Sequence, residues 1–272
     1  MRKLIEFTCG HETLVGTLDD AAGTTGLLIV SGGNEIRIGA HRGMAQLAER
    51  IARADHPVLR YDRRGIGDST GDNGGYESSA EDITAAAQAF RETGVERIIA
   101  YGNCDAATAL AFFHAQAGID ALILANPWTV ETADEMPPAA AIRSHYAAKL
   151  RDPKEWLRAA RGGVNIAKLA KGLAKISKSA PQVETSLAGR LATALAEARV
   201  PVTILLAKGD NTAIAFADAF KGPAFDAVRR TLKIDQLDSD SHSFASPADK
   251  DWLSGKVLEQ LVTPAKARVS DS

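Results

Sequence analysis

Two kinds of hydrophobic pattern follow one another along the chain. Apolar and polar residues alternate in 3–8 and in 13–18, the period of a strand with one exposed face, and the turn residues 9–12 between them predict an antiparallel hairpin. The later apolar runs are short and nearly continuous, as in strands buried on both faces of a parallel sheet. These runs are 27–30, 58–61, 97–101, 121–124, 202–206 and 232–237.

Helical patterns separate the first of these runs. Apolar residues recur at helix spacing from Met44 to Ile51 and from Ile83 to Phe90, and the second series follows Ser79, a residue type that caps helices. Strands and helices therefore alternate. This alternation predicts an α/β fold with a mostly parallel central sheet and helices on both faces.

Residues 128–198 interrupt the alternation. The stretch is helical in pattern, so we predict a helical cap inserted into a core made of 1–127 and 199–272. From Arg143 to Arg190 there are eleven Lys or Arg and three Asp or Glu, a net charge of +8. Within it, 166–178 predicts an amphipathic helix with one lysine face. That face is either solvated, or a contact for a phosphorylated substrate or for the surface of a membrane.

Composition excludes several classes of protein. The 272 residues are 45% hydrophobic and 24% charged, as in globular proteins, and no long uncharged apolar run predicts a membrane span. A net charge of −2 gives no general attraction for nucleic acid. Cys9 and Cys104 lie far apart and form no CxxC pair, so neither a disulfide nor a zinc site is indicated. We expect a cytoplasmic protein without metal or cofactor.

The segment after the run 58–61 is rich in glycine and charge. Its Gly65-x-Gly67-x-Ser69 lacks the third glycine of a dinucleotide-binding fingerprint at the required spacing. We interpret it as a rigid turn in which Arg63 and Arg64 pair with nearby carboxylates.

Cys104 is the clearest candidate for chemistry. The apolar run 97–101 leads through Gly102 into Cys104, and an alanine-rich helical stretch begins at Asp105, giving the form G-x-C-x-A. A nucleophile elbow holds its reactive residue on a strained turn between small residues, here Gly102 and Ala106. The positive end of a helix favours a thiolate, which would make Cys104 reactive. The alternative is a buried, unreactive cysteine.

A glycine-rich loop follows the run 27–30. Backbone N–H groups of such a loop, with the N–H after the nucleophile, stabilise the oxyanion of acyl transfer. Gly33, Asn34 and Asp105 are therefore candidates for an oxyanion hole, and a simple tight turn is the alternative for the two glycines of the loop. Three further residues, near this loop or at the start of the predicted cap, are candidates for the substrate pocket: His41, Arg42 and Trp128.

Two polar residues follow later strands. Asp210 comes just after the run 202–206, and His242 lies just past the run 232–237. The carboxyl ends of parallel strands meet at one edge of a sheet, so both side chains are expected to approach Cys104. The chain order of nucleophile, acid and histidine is the order of a Ser-type triad on a strand–turn–helix elbow.

These segments resemble the α/β-hydrolase superfamily over nearly the whole chain. The pattern of 62–69 is similar to the turn of its lipase-like and esterase-like members, and 102–106 occupies its elbow. More narrowly, 31–34 with 41–42, 60–65 and the cysteine elbow resemble the exosortase A system-associated hydrolases of the first type. The resemblance implies the α/β-hydrolase fold, a cysteine nucleophile and a Gram-negative setting near exopolysaccharide and protein-sorting genes.

Together these residues predict hydrolysis of a small-molecule ester or thioester through an acyl-enzyme. His242 would take the thiol proton of Cys104, and Asp210 would orient the imidazole. Two alternatives stay open. An acyltransferase would use the same triad with a hydroxyl or a carrier thiol in place of water, and a hydrolase-like binding protein would keep the pocket without chemistry.

Overall fold

The computed structural model describes residues 1–131 and 186–264. The predicted basic helix at 166–178 and most of the predicted cap lie outside the described residues. The strands are β1 (Arg2–Cys9), β2 (Glu12–Asp19), β3 (Thr25–Val30), β4 (Val58–Tyr61), β5 (Arg97–Asn103), β6 (Ala121–Ala125), β7 (Val202–Ala207) and β8 (Lys233–Leu237). The helices are α1 (Gly43–Arg53), α2 (Ala80–Arg91), α3 (Asp105–Phe113), α4 (Leu187–Glu197), α5 (Asn211–Ala219) and α6 (Pro247–Val262).

The described strands form one sheet in the order β1-β2-β4-β3-β5-β6-β7-β8. The hairpin β1–β2 is antiparallel, as predicted, and β2 also pairs antiparallel with β4. All the other neighbours are parallel. Because their carboxyl ends lie at one edge, Val30 of β3 stands beside Gly102 of β5, and Asn103 beside Ala125 of β6.

Helices cover both faces of the sheet, which confirms the predicted fold class. Successive residues of a strand point to opposite faces. Leu28 of β3 therefore belongs to the core cluster formed with α2, α3, α4 and α5. Its neighbour Leu27 belongs to the second cluster, formed with α1 and α6. Complete burial of one such leucine contributes about 2 kcal/mol, so both layers matter for stability.

Helix α4 is the part of the predicted cap segment that the structure describes. Ser186 caps it by accepting the N–H of Gly189, and Leu191 and Leu195 are buried in the cluster with α2 and α3. This helix thus packs on the sheet layer. Within the described ranges, no helix is long and apolar enough to cross a bilayer.

The turn after β4 is rigid, as predicted. Asp62 is fully buried and accepts the backbone N–H of Arg37 at 2.6 Å and of Asp68 at 3.1 Å. Arg64 pairs with Asp82 at 2.7 Å on α2. These contacts fix the turn between the sheet and α2, because charge-assisted hydrogen bonds are the stronger ones.

The rigid turn makes Gly67 intolerant of a side chain. Its φ is 56°, and a Cβ would lie 2.2 Å from Oδ2 of Asp62. We expect Gly67→Ala to lower the free energy of unfolding in urea by about 3 kcal/mol. Gly75→Ala is the matched control, since Gly75 also has a positive φ (75°) but no atom within 4 Å of its Cβ position. It should cost only about 1 kcal/mol, and equal losses would contradict the steric account.

Candidate active site

Cys104 occupies a sharp turn between β5 and α3. Its backbone angles are φ 62° and ψ −127°, a strained combination for a residue with a side chain. Hydrogen bonds hold this conformation from both sides: the N–H of Cys104 donates to the carbonyl of Ala125 at 3.0 Å, and its own carbonyl accepts the N–H of Trp128 at 3.2 Å. The side chain is partly exposed. The fold therefore presents the sulfur at the carboxyl edge of the sheet.

Small neighbours allow this turn to form. A Cβ on Gly102 would lie 2.8 Å from the backbone of Ala106, and one on Gly32 would lie 2.6 Å from a carboxylate oxygen of Asp105. Both approaches are shorter than real Cβ contacts. The structure thus supplies the physical reason for the small residues predicted around the elbow.

His242 and Asp210 meet at the same edge. Nδ1 of His242 lies 3.0 Å from Oδ2 of Asp210, which also caps α5 by accepting the N–H of Ala213 at 3.0 Å. Hydrogen bonds with Asp210 and then with Cys104 raise the pKa of His242 to about 10, although burial opposes this rise. With Nδ1 facing Asp210, Nε2 is the ring nitrogen left for Cys104. The structure thus brings the predicted nucleophile, histidine and acid together.

Two buried asparagines hold the histidine loop. The side-chain amides of Asn103 and Asn126 donate to the backbone carbonyl of His242 at 3.0 and 3.2 Å. Asn126 also donates to the side-chain oxygen of Asn103 at 3.1 Å and accepts the N–H of Ala207 at 2.9 Å. We call Asn103 and Asn126 the asparagine clamp. Because Cys104 directly follows Asn103, the clamp fixes the position of the His242 backbone relative to Cys104.

The carboxylate of Asp105 turns away from the sulfur. It accepts the N–H of Gly33 at 2.7 Å and lies 3.7 Å from the buried guanidinium of Arg63. Arg63 in turn donates to the carbonyl of Gly33 and to Oγ of Ser79. The side chain of Asp105 therefore braces the glycine loop, and the N–H of Gly33 is engaged by that carboxylate.

A cavity of about 240 Å³ lies beside Cys104. Loop 32–35, Cys104 and 242–244 form one end of its wall, while α1 and α6 continue the wall. The wall includes Gly33 and Asn34 but not Asp105. The cavity is thus continuous with the sulfur and with the loop predicted to hold an oxyanion.

The three residues predicted for the pocket lie beside this cavity rather than in its wall. Ala40 and Gly43 line it, whereas His41 and Arg42 between them are exposed, with left-handed φ values of 52° and 59°. Trp128 is half-buried and serves the elbow through its backbone: its carbonyl accepts Oγ1 of Thr108 at 2.8 Å.

Glu35 is a cavity residue that the sequence reading missed. Burial raises the pKa of its carboxyl group, although the hydrogen bond from the N–H of Ala40 and the nearby charge of His242 lower it. In the described ranges, no cluster of three or more His, Cys, Asp or Glu side chains is placed to hold a metal ion.

Comparison with known protein families identifies the family of this chain. The family model described as the alpha/beta hydrolase family matches residues 27–249, most of the chain. The chain belongs to the alpha/beta hydrolase family. No curated protein matched it in a sequence search.

Solved structures share the fold at low sequence identity. The esterase Pf2001 of Pyrococcus furiosus is 16% identical, with a TM-score of 0.64 over 96% of this chain and 92% of that chain. The alpha/beta hydrolase GrgF of Penicillium sp. sh18 is 18% identical, with a TM-score of 0.64 over 96% and 98%. A hydrolase of Pseudomonas aeruginosa is 22% identical, with a TM-score of 0.57 over 96% and 99%. At these sequence identities the similarity shows a shared fold and nothing more specific.

The raised pKa of His242 should make the stability of the protein depend on pH. Because its pKa is raised from 6.5 to about 10, its contribution to stability is complete below pH 6.5 and is lost as the pH rises through about 10. Asp210→Asn keeps the cap of α5 but removes the charge that faces the ring. We expect this variant to titrate its imidazole at lower pH by NMR and to lose much of the pH dependence of unfolding between pH 6.5 and 10.

Asp226→Asn is the matched control, because Asp226 is an exposed carboxylate paired with Arg229 outside the site. It should leave the His242 titration unchanged. An imidazole that titrates near 6.5 in the unaltered protein would contradict the described contact with Asp210.

The second consequence concerns the asparagine clamp. Asn126→Ala removes one of the two donors to the His242 carbonyl and the hydrogen bond that orients the other, so the imidazole is held less firmly relative to Cys104. We expect iodoacetamide to alkylate Cys104 about 10- to 100-fold more slowly at neutral pH, a loss typical of misplaced catalytic groups. Gln88→Ala removes an exposed amide on α2 and should not change the rate. Equal rates in all three proteins would show that the clamp has no part in positioning.

Proposed function

We propose that this alpha/beta hydrolase cleaves an ester or thioester through an acyl-enzyme on Cys104. The observation that carries the proposal is the imidazole of His242, which hydrogen-bonds both Asp210 and Cys104 at the end of a cavity. That arrangement contains a nucleophile, a base and a group that orients the base.

The first step is the formation of the nucleophile. Asp210 and Cys104 raise the pKa of His242 to about 10, so its ring is a strong base for the thiol proton of Cys104. Asp210 holds the imidazole in the orientation that accepts this proton and stabilises the imidazolium that results. The sulfur then attacks the acyl carbonyl carbon and forms a tetrahedral intermediate.

Backbone N–H groups stabilise the negative oxygen of this intermediate. The N–H of Asp105, at the amino end of α3, and that of Asn34 are the proposed donors, each typically worth about 3 kcal/mol. The N–H of Gly33 joins them only when the Asp105 carboxylate releases it, since that carboxylate accepts it at 2.7 Å. The carboxylate of Asp105 itself is kept from the sulfur by its contacts with Gly33 and Arg63.

Collapse of the intermediate expels the alcohol or thiol, which takes the proton from His242. A water molecule then gives its proton to the neutral imidazole and attacks the thioester carbon. The carbon–sulfur bond of this second tetrahedral intermediate then breaks and the acid product leaves, and His242 and Cys104 again share the one proton with which they began. The enzyme returns to its starting state without any other reactant.

Two kinds of likeness support this proposal. Family membership and structural neighbours that include the esterase Pf2001 support a hydrolase. The cysteine elbow and the segments 31–34, 41–42 and 60–65 resemble the exosortase A system-associated hydrolases, and we place the reaction in that bacterial exopolysaccharide setting.

Hydrolysis of p-nitrophenyl acetate and of an acetyl thioester tests the proposal. We expect Cys104→Ala and His242→Ala to lower kcat by at least about 100-fold, because each removes a member of one catalytic unit. Cys9→Ala is the matched control: Cys9 is the other cysteine, buried beside Asp82, and its loss should leave kcat nearly unchanged. Full activity in Cys104→Ala would contradict a mechanism with Cys104 as the nucleophile.

The same assay separates hydrolysis from acyl transfer. Added glycerol should leave free acid as the main product if water is the acceptor. A shift of product from acid to glycerol ester, at an unchanged rate of acylation, would replace the hydrolase with an acyltransferase. If the folded protein binds acyl compounds but never turns them over, the binding-protein alternative stands.

A further inference from the structure

The cavity beside Cys104 continues as a groove between α1 and α6. On α1 its wall includes Gly43, Leu47 and Arg50, which recur on one helix face. Arg50 lies seven positions after Gly43, so this face runs about 10 Å away from the carboxyl edge of the sheet. On α6 the wall includes Lys250 and Leu253. We call this extension the α1–α6 groove.

The α1–α6 groove has apolar walls. Met44, Leu47, Phe244 and Leu253 line it, and all four are buried in the core layer on this face of the sheet. Phe244 has a left-handed backbone conformation (φ 51°), and its ring stacks on that of Trp252 in α6. An acyl chain that lies along this wall would remove apolar surface from water, which favours binding.

Cations border the α1–α6 groove on both helices. Arg50 donates to Asp251 of α6 at 2.6 Å and to Ser254 at 3.3 Å, so this end of α1 is tied to α6. Lys250, one residue before Asp251, is half-buried, and within the two described ranges it forms no ion pair. Glu35, in contrast, lies in the glycine loop at the catalytic end. Because Arg50 is paired with Asp251, Lys250 is the wall cation whose charge no carboxylate balances within the described ranges.

We propose that the α1–α6 groove binds acyl chains that end in a carboxylate, with Lys250 as the specificity residue and Arg50 as a second cation. The inference rests on the proposed function, because Cys104 marks the position of the acyl carbonyl. An apolar chain then lies against Met44 and Leu253, and its terminal carboxylate receives a charge-assisted hydrogen bond from Nζ of Lys250.

Matched esters test the proposal. The p-nitrophenyl monoester of octanedioic acid and p-nitrophenyl octanoate share their leaving group and chain length and differ in the terminal carboxylate. We expect the protein to prefer the dicarboxylic ester in kcat/KM. Lys250→Met should lower kcat/KM for that ester by about 10- to 100-fold and leave the octanoate within about twofold, as expected for loss of one hydrogen bond to a charged group.

Lys221→Met is the control, since Lys221 is an exposed lysine that does not line the cavity. It should change neither substrate, and Lys250→Arg should keep most of the preference. Equal losses on both esters in Lys250→Met, or no preference in the unaltered protein, would overturn the proposal. A preference for phosphate-bearing leaving groups with none in the acyl chain would overturn it as well.

A binding measurement separates this inference from the proposed function. Calorimetry with octanedioate and octanoate on Cys104→Ser and on Cys104→Ser with Lys250→Met needs no turnover. Tighter binding of octanedioate that depends on Lys250 would support the groove even if no ester were hydrolysed. Hydrolysis without any such difference in binding would leave the proposed function in place and exclude the carboxylate site.

Discussion

The strained backbone of Cys104 is the constraint on which the site depends. A residue with a side chain adopts φ 62° and ψ −127° only where its surroundings compensate for the cost. Here the carbonyl of Ala125 and the N–H of Trp128 hold the turn, and Gly102 and Gly32 leave the space that it needs. Strand β5 and helix α3 are thereby joined so that the sulfur stands at the sheet edge beside the cavity.

The polar residues around this turn hold one another in place by hydrogen bonds. Asn103 and Asn126 fix the backbone of His242, and Asp210 fixes its ring while capping α5. Each of these residues lies at or just after the end of a parallel strand, so the sheet gathers them without long loops. The two asparagines and Asp210, all placed by the sheet, thus hold the imidazole of His242 in one position.

Much of this could be predicted from the sequence, because the signals are local. The nearly continuous apolar runs predict buried parallel strands, and the polar residues that follow them predict convergence at one edge. The structure confirms the fold class, and it places Cys104, His242 and Asp210 at the same edge of the sheet. Their catalytic roles, and the cap over 128–198, stay predictions.

Other features depend on side-chain directions that a pattern does not contain. The clamp by Asn126 required knowledge of which carbonyl its amide would reach, although its place directly after a buried strand was a usable signal. His41 and Arg42 are exposed and have left-handed backbone angles, and neither property is indicated by the residue types there. The engagement of the Gly33 N–H by Asp105 depends on one rotamer, which Arg63 helps to set.

Intact-mass spectrometry after rapid acid quench tests the central claim most directly. The full-length protein is mixed with an acetyl thioester and stopped within and after the first turnover, and the modified peptide is sequenced. The account predicts that one acetyl group appears on Cys104 and then decays as acid is released. Turnover with no acyl group on Cys104, or with a stable acyl group on another residue, would contradict it.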